Sequence, residues 1–202
     1  SQVYDVYYRV HVQNIGWMAW AKNWQISGTS GMSYRIEALQ IQIVKKGDPI
    51  PSSSGSTSFP FLTTPTIKYS SHVQNIGWQT PVENGATSGT TGKSLRIEAI
   101  KAEVQNIPSG ITGGVSYRSQ VQRLGWQNWV DNYTISGTTG LKLRDEGIQL
   151  SLTGGISNYF TITYHAHVQT IGWQNWVPAG YTAGSIGKSL RMEAIEIKII
   201  PK

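Results

Sequence analysis

Apolar and polar residues alternate over short stretches of this chain, which is the period of a strand with one covered face. Near the start, Tyr8, Val10 and Val12 fall on one side and Arg9, His11 and Gln13 on the other. The alternation returns with Tyr164, Ala166 and Val168 against His165, His167 and Gln169. A second strand pattern follows downstream, and there the apolar side changes. Leu95, Ile97 and Ala99 share one side, whereas Ile100, Ala102 and Val104 fall on the other with Arg96 and Glu98. Leu190, Met192 and Ala194 against Ile195, Ile197 and Ile199 repeat the change. The switches at Ala99-Ile100 and Ala194-Ile195 predict a bulge or a passage between two packing environments. No segment carries a 3.6-residue stripe of helical length, so little or no helix is expected.

These strands belong to a repeat. Val-Gln-x-(Ile/Leu)-Gly-Trp occurs four times, at Val12 to Trp17, Val73 to Trp78, Val121 to Trp126 and Val168 to Trp173. Counted from each Trp, Gly recurs at 11 and 14 residues, Arg at 18 and Glu at 20, with no insertion in any copy. A Tyr stands four residues before each Val: Tyr8, Tyr69, Tyr117 and Tyr164. Paired glycines, as in Ser88-Gly89-Thr90-Thr91-Gly92, and the pairs Asn84-Gly85 and Ala179-Gly180 mark turns. The spacing between successive Val residues is 61, 48 and 47. The expected fold is all-β, with four tandem β-repeats of roughly 47 residues at residues 1–47, 67–107, 115–153 and 159–202. One such unit cannot bury a core, so neighbours must complete it. A closed radial assembly, β-prism-like or small propeller-like, removes exposed edges. Fourfold closure, and threefold closure with copy one apart, both fit the sequence. Residues 48–66, with four Pro, five Ser and four Thr, read as a linker. Its Phe59-Pro60-Phe61-Leu62 segment is expected to dock on a folded surface.

Eight Trp and ten Tyr against three Phe give much aromatic surface with a polar handle. There is no Cys, hence no disulfide framework and no thiolate metal site. No apolar run spans a membrane, and the start Ser1-Gln2-Val3-Tyr4 suits a mature or excised fragment. The net charge of +6 is spread along the chain, with Lys45-Lys46 the one adjacent basic pair, so no nucleic-acid partner is expected. The charge suits solubility or a mild attraction to phosphate-bearing wall polymers.

The Trp shared by all four copies reads as a core residue wedged against the next repeat. A second Trp three residues later (Trp20, Trp129, Trp176) is replaced by Pro81 in copy two, and copy one adds Trp24. These are the candidate exposed platforms. An indole beside amides and imidazoles suits a sugar, whose C–H face lies on the ring while its hydroxyls bond polar groups. The outward candidates are Gln13, Gln74, Gln122 and Gln169, with His11, His72 and His167 two residues earlier and Gln120 in copy three. One His per strand without carboxylates at ligand spacing is no metal set, and no cofactor is expected. The Arg-x-Glu pairs read as structural ion pairs between repeats. Copy three replaces the apolar residue by Asp145 and the Ala by Gly147, so its closing strand is expected to be the weakest or most exposed. No nucleophile motif, phosphate loop or zincin signature occurs, and every feature is repeated, so no catalytic residue and no enzyme activity are expected.

Tyr-x-x-His-Val-Gln-x-Ile-Gly-Trp, followed by Gly-x-x-Gly-Lys-Ser-Leu-Arg-Ile-Glu-Ala-Ile, resembles the clostridial hydrophobic repeat with a signature Trp, the ChW repeat. Copies two and four come nearest to that pattern; Pro81, Gln120, Asp145 and Gly147 depart from it. The resemblance implies a secreted or cell-surface protein of Gram-positive bacteria, in which such repeats are joined to hydrolase or adhesion domains. It further implies a module that binds polysaccharide, peptidoglycan or another cell-wall polymer. Joined with the repeated Trp, Gln and His sets, the expectation is a non-catalytic, multivalent carbohydrate-binding module. The alternative is a protein-interaction or adhesion scaffold of a surface assembly.

Overall fold

The computed structural model describes residues 3–57 and 59–202. Each copy has an opening strand (Tyr4–Val12, Thr66–Val73, Gly114–Val121, Phe160–Val168). It lies antiparallel to a closing strand (Ile36–Lys45, Ile97–Gln105, Asp145–Thr153, Met192–Pro201). Between the two, the chain reverses and lays two short strands on the opening strand, such as Gly77–Trp78 and Val82–Glu83. It then makes a short crossing strand at the first recurring Gly (Gly28–Ser30, Ser88–Gly89, Ser136–Gly137, Ala183–Gly184). The single helical element among the described residues is a 3-10 turn, Gly154–Asn158. The protein is thus almost wholly β and built from four repeats.

A bulge explains the switch of the apolar side. In every copy the register slips at the recurring Glu, leaving Glu37, Glu98, Glu146 and Glu193 without a cross-strand partner. Ile97 thereby joins Ile100 and Ala102 on one face, opposite Val73, Ser71 and Tyr69, while Ala99 turns to the other face opposite His72. One extra residue converts a broken alternation into a continuous buried face.

Two compact units result. One holds copies two to four, residues Pro65–Ile107 and Thr112–Lys202. Within it each crossing strand pairs with the closing strand of another copy. Gly137 lies opposite Ala99, Gly184 opposite Gly147, and Gly89 opposite Ala194, so the three pairings run in a cycle. Glycine is required at the crossing: a Cβ on Gly137 would fall 2.5 Å from the Cα of Ala99, and one on Gly89 2.5 Å from that of Ala194. The recurring Tyr locks the same boundary. The hydroxyls of Tyr69, Tyr117 and Tyr164 donate within their own copies to the carbonyls of Ala86, Thr134 and Tyr181. Each also accepts a backbone N–H from another copy, of Ile197, Ala102 and Leu150, at 3.0 Å. The centre holds small polar groups: Ser88 Oγ donates to Ser71 Oγ (2.9 Å) and Ser119 Oγ to Asp145 Oδ2 (3.1 Å). Asp145 is only 1% exposed, so copy three's closing strand is buried here, contrary to the expectation from its composition. Burial pushes the Asp145 carboxyl well above the ordinary carboxylate range, against the opposing hydrogen bond from Ser119.

The other unit comprises copy one with the linker up to Thr64, together with Pro108–Ile111. The linker docks as expected. Phe61–Thr63 pairs in parallel with the crossing strand Gly28–Ser30; Gly28 donates to the carbonyl of Pro60 (2.9 Å), and Ala19 to that of Phe59 (3.1 Å). Phe59 and Leu62 are buried, as is Met18. In copies two and four the place of Met18 is taken by Gln79 and Gln174, whose amides bond both N–H and C=O of Gly89 and Gly184. Copy one therefore uses linker backbone where the others use a glutamine side chain. Its closing strand is exposed on nearly every residue.

Candidate functional site

One residue after the recurring Tyr, the outward face of the opening strand carries a side chain held between two aromatic rings. The Arg9 guanidinium carbon lies 4.9 Å from the ring centroid of Trp17 and 4.7 Å from that of Trp20. Arg118 lies 4.6 Å from Trp126 and 4.8 Å from Trp129. In copy four the His165 ring stacks on Trp173 (4.5 Å, 23°) and on Trp176 (3.9 Å, 19°), with Lys198 Nζ 4.1 Å from the Trp176 centroid. Copy two has Ser70 at this position and Pro81 in place of the second Trp. There Lys101, directly across the sheet from Ser70, lies 4.5 Å from Trp78 and 4.6 Å from Tyr133 of copy three. All four copies thus hold a basic side chain in an aromatic clamp. Each such contact contributes on the order of 0.5–2 kcal/mol, depending on exposure.

Hydrogen bonds across the sheet fix the clamped group. Arg9 Nε donates to Gln40 Oε1 (2.7 Å) and Arg118 Nε to Gln149 Oε1 (2.9 Å). His165 Nε2 faces Glu196 Oε2 at 2.9 Å and Nδ1 faces the Gln174 carbonyl at 2.9 Å. Burial raises the Glu196 carboxyl, but hydrogen bonds from Thr87 and His165, with the charges of His165 and Lys198, outweigh it and hold the group below its ordinary value. A clamp so braced presents its rings in one orientation, with little side-chain freedom left to lose on binding.

The first Trp of each copy is not the core residue its recurrence suggested; in copies two to four the buried keystone is the Tyr, Tyr69, Tyr117 and Tyr164. Trp17, Trp78 and Trp126 are half-buried, and Trp173 is exposed. Beneath them, His11, His72 and His167 meet Trp17, Trp78 and Trp173 edge-on at 5.4, 5.5 and 5.4 Å. Each His Nδ1 lies 3.2 Å from its copy's bulged Glu (Glu37, Glu98, Glu193). For His72 and His167 this contact lies out of hydrogen-bonding line. The same Glu residues, and Glu146 in copy three, accept from the Arg two positions earlier. These ion pairs are therefore structural, but they lie within one copy and not between copies.

The residues singled out from sequence separate into groups. Trp20, Trp129 and Trp176 join the clamps, with Trp129 43% and Trp176 36% exposed. Trp20 is also tied to the linker, its Nε1 donating to the Ser52 carbonyl (2.8 Å). Trp24 stands apart, 95% exposed, on a groove of about 270 Å³ lined by Tyr4, Val6 and Asn23. Gln13, Gln74, Gln122 and Gln169 are half-buried next to the reversal, their backbone N–H groups donating to the carbonyls of Arg35, Arg96, Arg144 and Arg191. His11, His72 and His167 support the first Trp. Arg9, Lys101, Arg118 and His165 were missed, although a signal existed. The residue after the Tyr varies with the one three after the Trp: Arg9 with Trp20, Arg118 with Trp129, His165 with Trp176, and Ser70 with Pro81.

Among the described residues no group of three or more His, Asp or Glu is placed to hold a metal ion. No helix among them is long and apolar enough to cross a membrane. No curated protein and no solved structure matches the chain. The sequence model of the family described as Clostridial hydrophobic W matches it four times, at residues 11–45, 72–106, 120–154 and 167–201. Each match runs from the outward His or Gln of the opening strand, through the Trp and the bulged Glu, to the end of the closing strand. With well over half of its residues inside these matches, the chain belongs to the clostridial hydrophobic W (ChW) repeat family.

Proposed function

We propose that this chain is a non-catalytic, multivalent module that binds cell-wall polysaccharide outside a bacterial cell. The observation that carries the reading is the recurrence of an aromatic clamp in all four copies, with exposed indole surface at Trp129 and Trp176. Indole surface takes the C–H face of a sugar ring. The braced Arg, Lys or His beside it adds donors for hydroxyl, carboxylate or phosphate groups of a wall polymer. In this reading copies two to four form a prism-like radial body, with the clamps on its outer faces; their cycle of strand pairings supports that arrangement. Trp129 and Trp176 are the principal platforms, and Trp24 a further contact. The glutamines and histidines act chiefly by positioning the reversal and the first Trp.

The test is retention by insoluble polymers. Purified Gram-positive walls, chitin and cellulose are incubated with wild type and with the double variant Trp129→Ala plus Trp176→Ala. Wild type is expected to be retained on at least one polymer, and the variant to lose about tenfold or more of that retention. Failure of wild type on every polymer would sink the carbohydrate reading. Equal retention of both proteins would instead move the site away from these clamps. The second reading, a protein-interaction scaffold, is favoured by a different observation, the uncovered closing strand of copy one.

A further inference from the structure

Copies two to four show how this repeat meets its own kind. At each boundary one copy gives a fixed set of groups and another receives them. On the giving side, the N–H of Gly85, Tyr133 and Gly180 donates to the carbonyl of Ile197, Ala102 and Leu150. The Tyr hydroxyl accepts the N–H of the same residue. The N–H of Thr90, Thr138 and Ser185 donates to the carbonyl of the bulged Glu193, Glu98 and Glu146.

Copy one possesses both sides of this contact, and among the described residues neither is used. Its giving groups are the N–H of Trp24, the Tyr8 hydroxyl and the N–H of Thr29; its receiving groups are the N–H and C=O of Ile41 and the C=O of Glu37. Tyr8 bonds the carbonyls of Asn23 and Gln25 within its own copy but receives no N–H among the described residues. The linker strand does not occupy the place of a neighbour. Gly28 points its N–H at the linker, so Thr29, one residue on, points its N–H to the opposite edge. A Cβ on Gly28 would meet only the Ile36 and Val10 side chains at 3.8 Å, where Gly89 and Gly137 are pressed by another copy's backbone.

The apolar face tells the same story. Val6, Leu39 and Ile41 are 40%, 57% and 60% exposed, and their counterparts Ile67, Ile100 and Ala102 are 0%, 1% and 0% exposed. An uncovered apolar edge strand of this length invites strand pairing.

We infer that the occupant is copy one of a second chain, and that three chains join through copy one into a trimer. The giving and receiving surfaces lie on one unit and differ from each other, so association runs head to tail. Copies two to four show that this contact returns on itself after three members. Ile41 of one chain would be gripped by Tyr8 and Trp24 of the next, and Ala38 would face its Gly28.

Sedimentation of the full chain tests this, with Ile41→Lys and Ala38→Arg as variants. Both residues are exposed in the single chain, so the variants keep the fold, as circular dichroism would verify. The expected result is a wild-type mass three times the 22.3 kDa of the chain, and the single-chain mass for each variant. A wild type that sediments as a monomer or a dimer overturns the inference. So does a trimer that survives both substitutions. A wild type that is monomeric alone but captured by a different protein bearing these repeats assigns the surface to that partner and overturns the self-association.

Discussion

In copies two to four the hydroxyl of the recurring Tyr has a double task, closing its own copy and receiving the N–H of another. Burial pushes it up to about 12 in Tyr117 and in Tyr164, and higher still in Tyr69. Tyr117→Phe leaves the buried N–H of Ala102 without an acceptor and is expected to lower stability by about 1–3 kcal/mol in urea unfolding. Tyr8→Phe, which strands no N–H among the described residues, should cost less. Asp145 offers a contrary case. Copies one, two and four place Ile36, Ile97 and Met192 at this position. Because the folded carboxyl is raised, the native state holds the proton more tightly than the unfolded chain. Stability therefore falls as pH rises from the unfolded value, near 4, through the folded one. Asp145→Met is expected to raise stability at pH 7 by about 1–3 kcal/mol and to flatten that slope, as thermal melts across pH would show. The recurrence of the Tyr was plain in sequence. Its second bond was not, because the donor belongs to another copy, and no local pattern names a distant partner.

For strands, a period of two tells which residues share a face and where that sharing breaks, but not what lies across the face. The bulge was legible for this reason: apolar parity failed at the same place in two copies, and one extra residue, the Glu, repairs it. The docking of Phe59 to Leu62 was legible too, since apolar residues in a polar linker need cover. The substitution of linker backbone for a glutamine side chain was not, because Met18 declares its meaning only once Pro60 lies beside Gly28. Leu62 is fully buried, and Leu62→Ala is expected to destabilise the copy-one unit by about 2–5 kcal/mol. Limited proteolysis reads the effect as faster cleavage between Ser52 and Thr64, with copies two to four left intact. The clamps were half legible. Their indoles stood out by recurrence, whereas the group between them changes from Arg to Lys to His and so hid from a search for identical residues.

Across the whole molecule, four clamps on one chain convert weak contacts into a strong one only if a single polymer reaches more than one of them. On the proposed carbohydrate-binding reading, long wall polymers are expected to bind about 10² to 10⁴ times more tightly than short oligosaccharides of the same sugar, as titration calorimetry with a length series would show. Equal affinity for short and long ligands would mean one working clamp. Threefold linkage of copies two to four, with copy one apart, was one of two arrangements open from the spacings 61, 48 and 47. The strand pairings among copies two to four are encoded by no spacing.

The bond from the Ile197 N–H to the Tyr69 hydroxyl spans 128 residues of sequence, which bears on how the protein is made. As the chain leaves the ribosome, copies two and three can pair as soon as both have emerged, but copy two's remaining boundary stays wet until copy four has been translated. Until then the newborn chain carries an open apolar strand edge, the kind of surface on which chaperones act and on which premature aggregation begins.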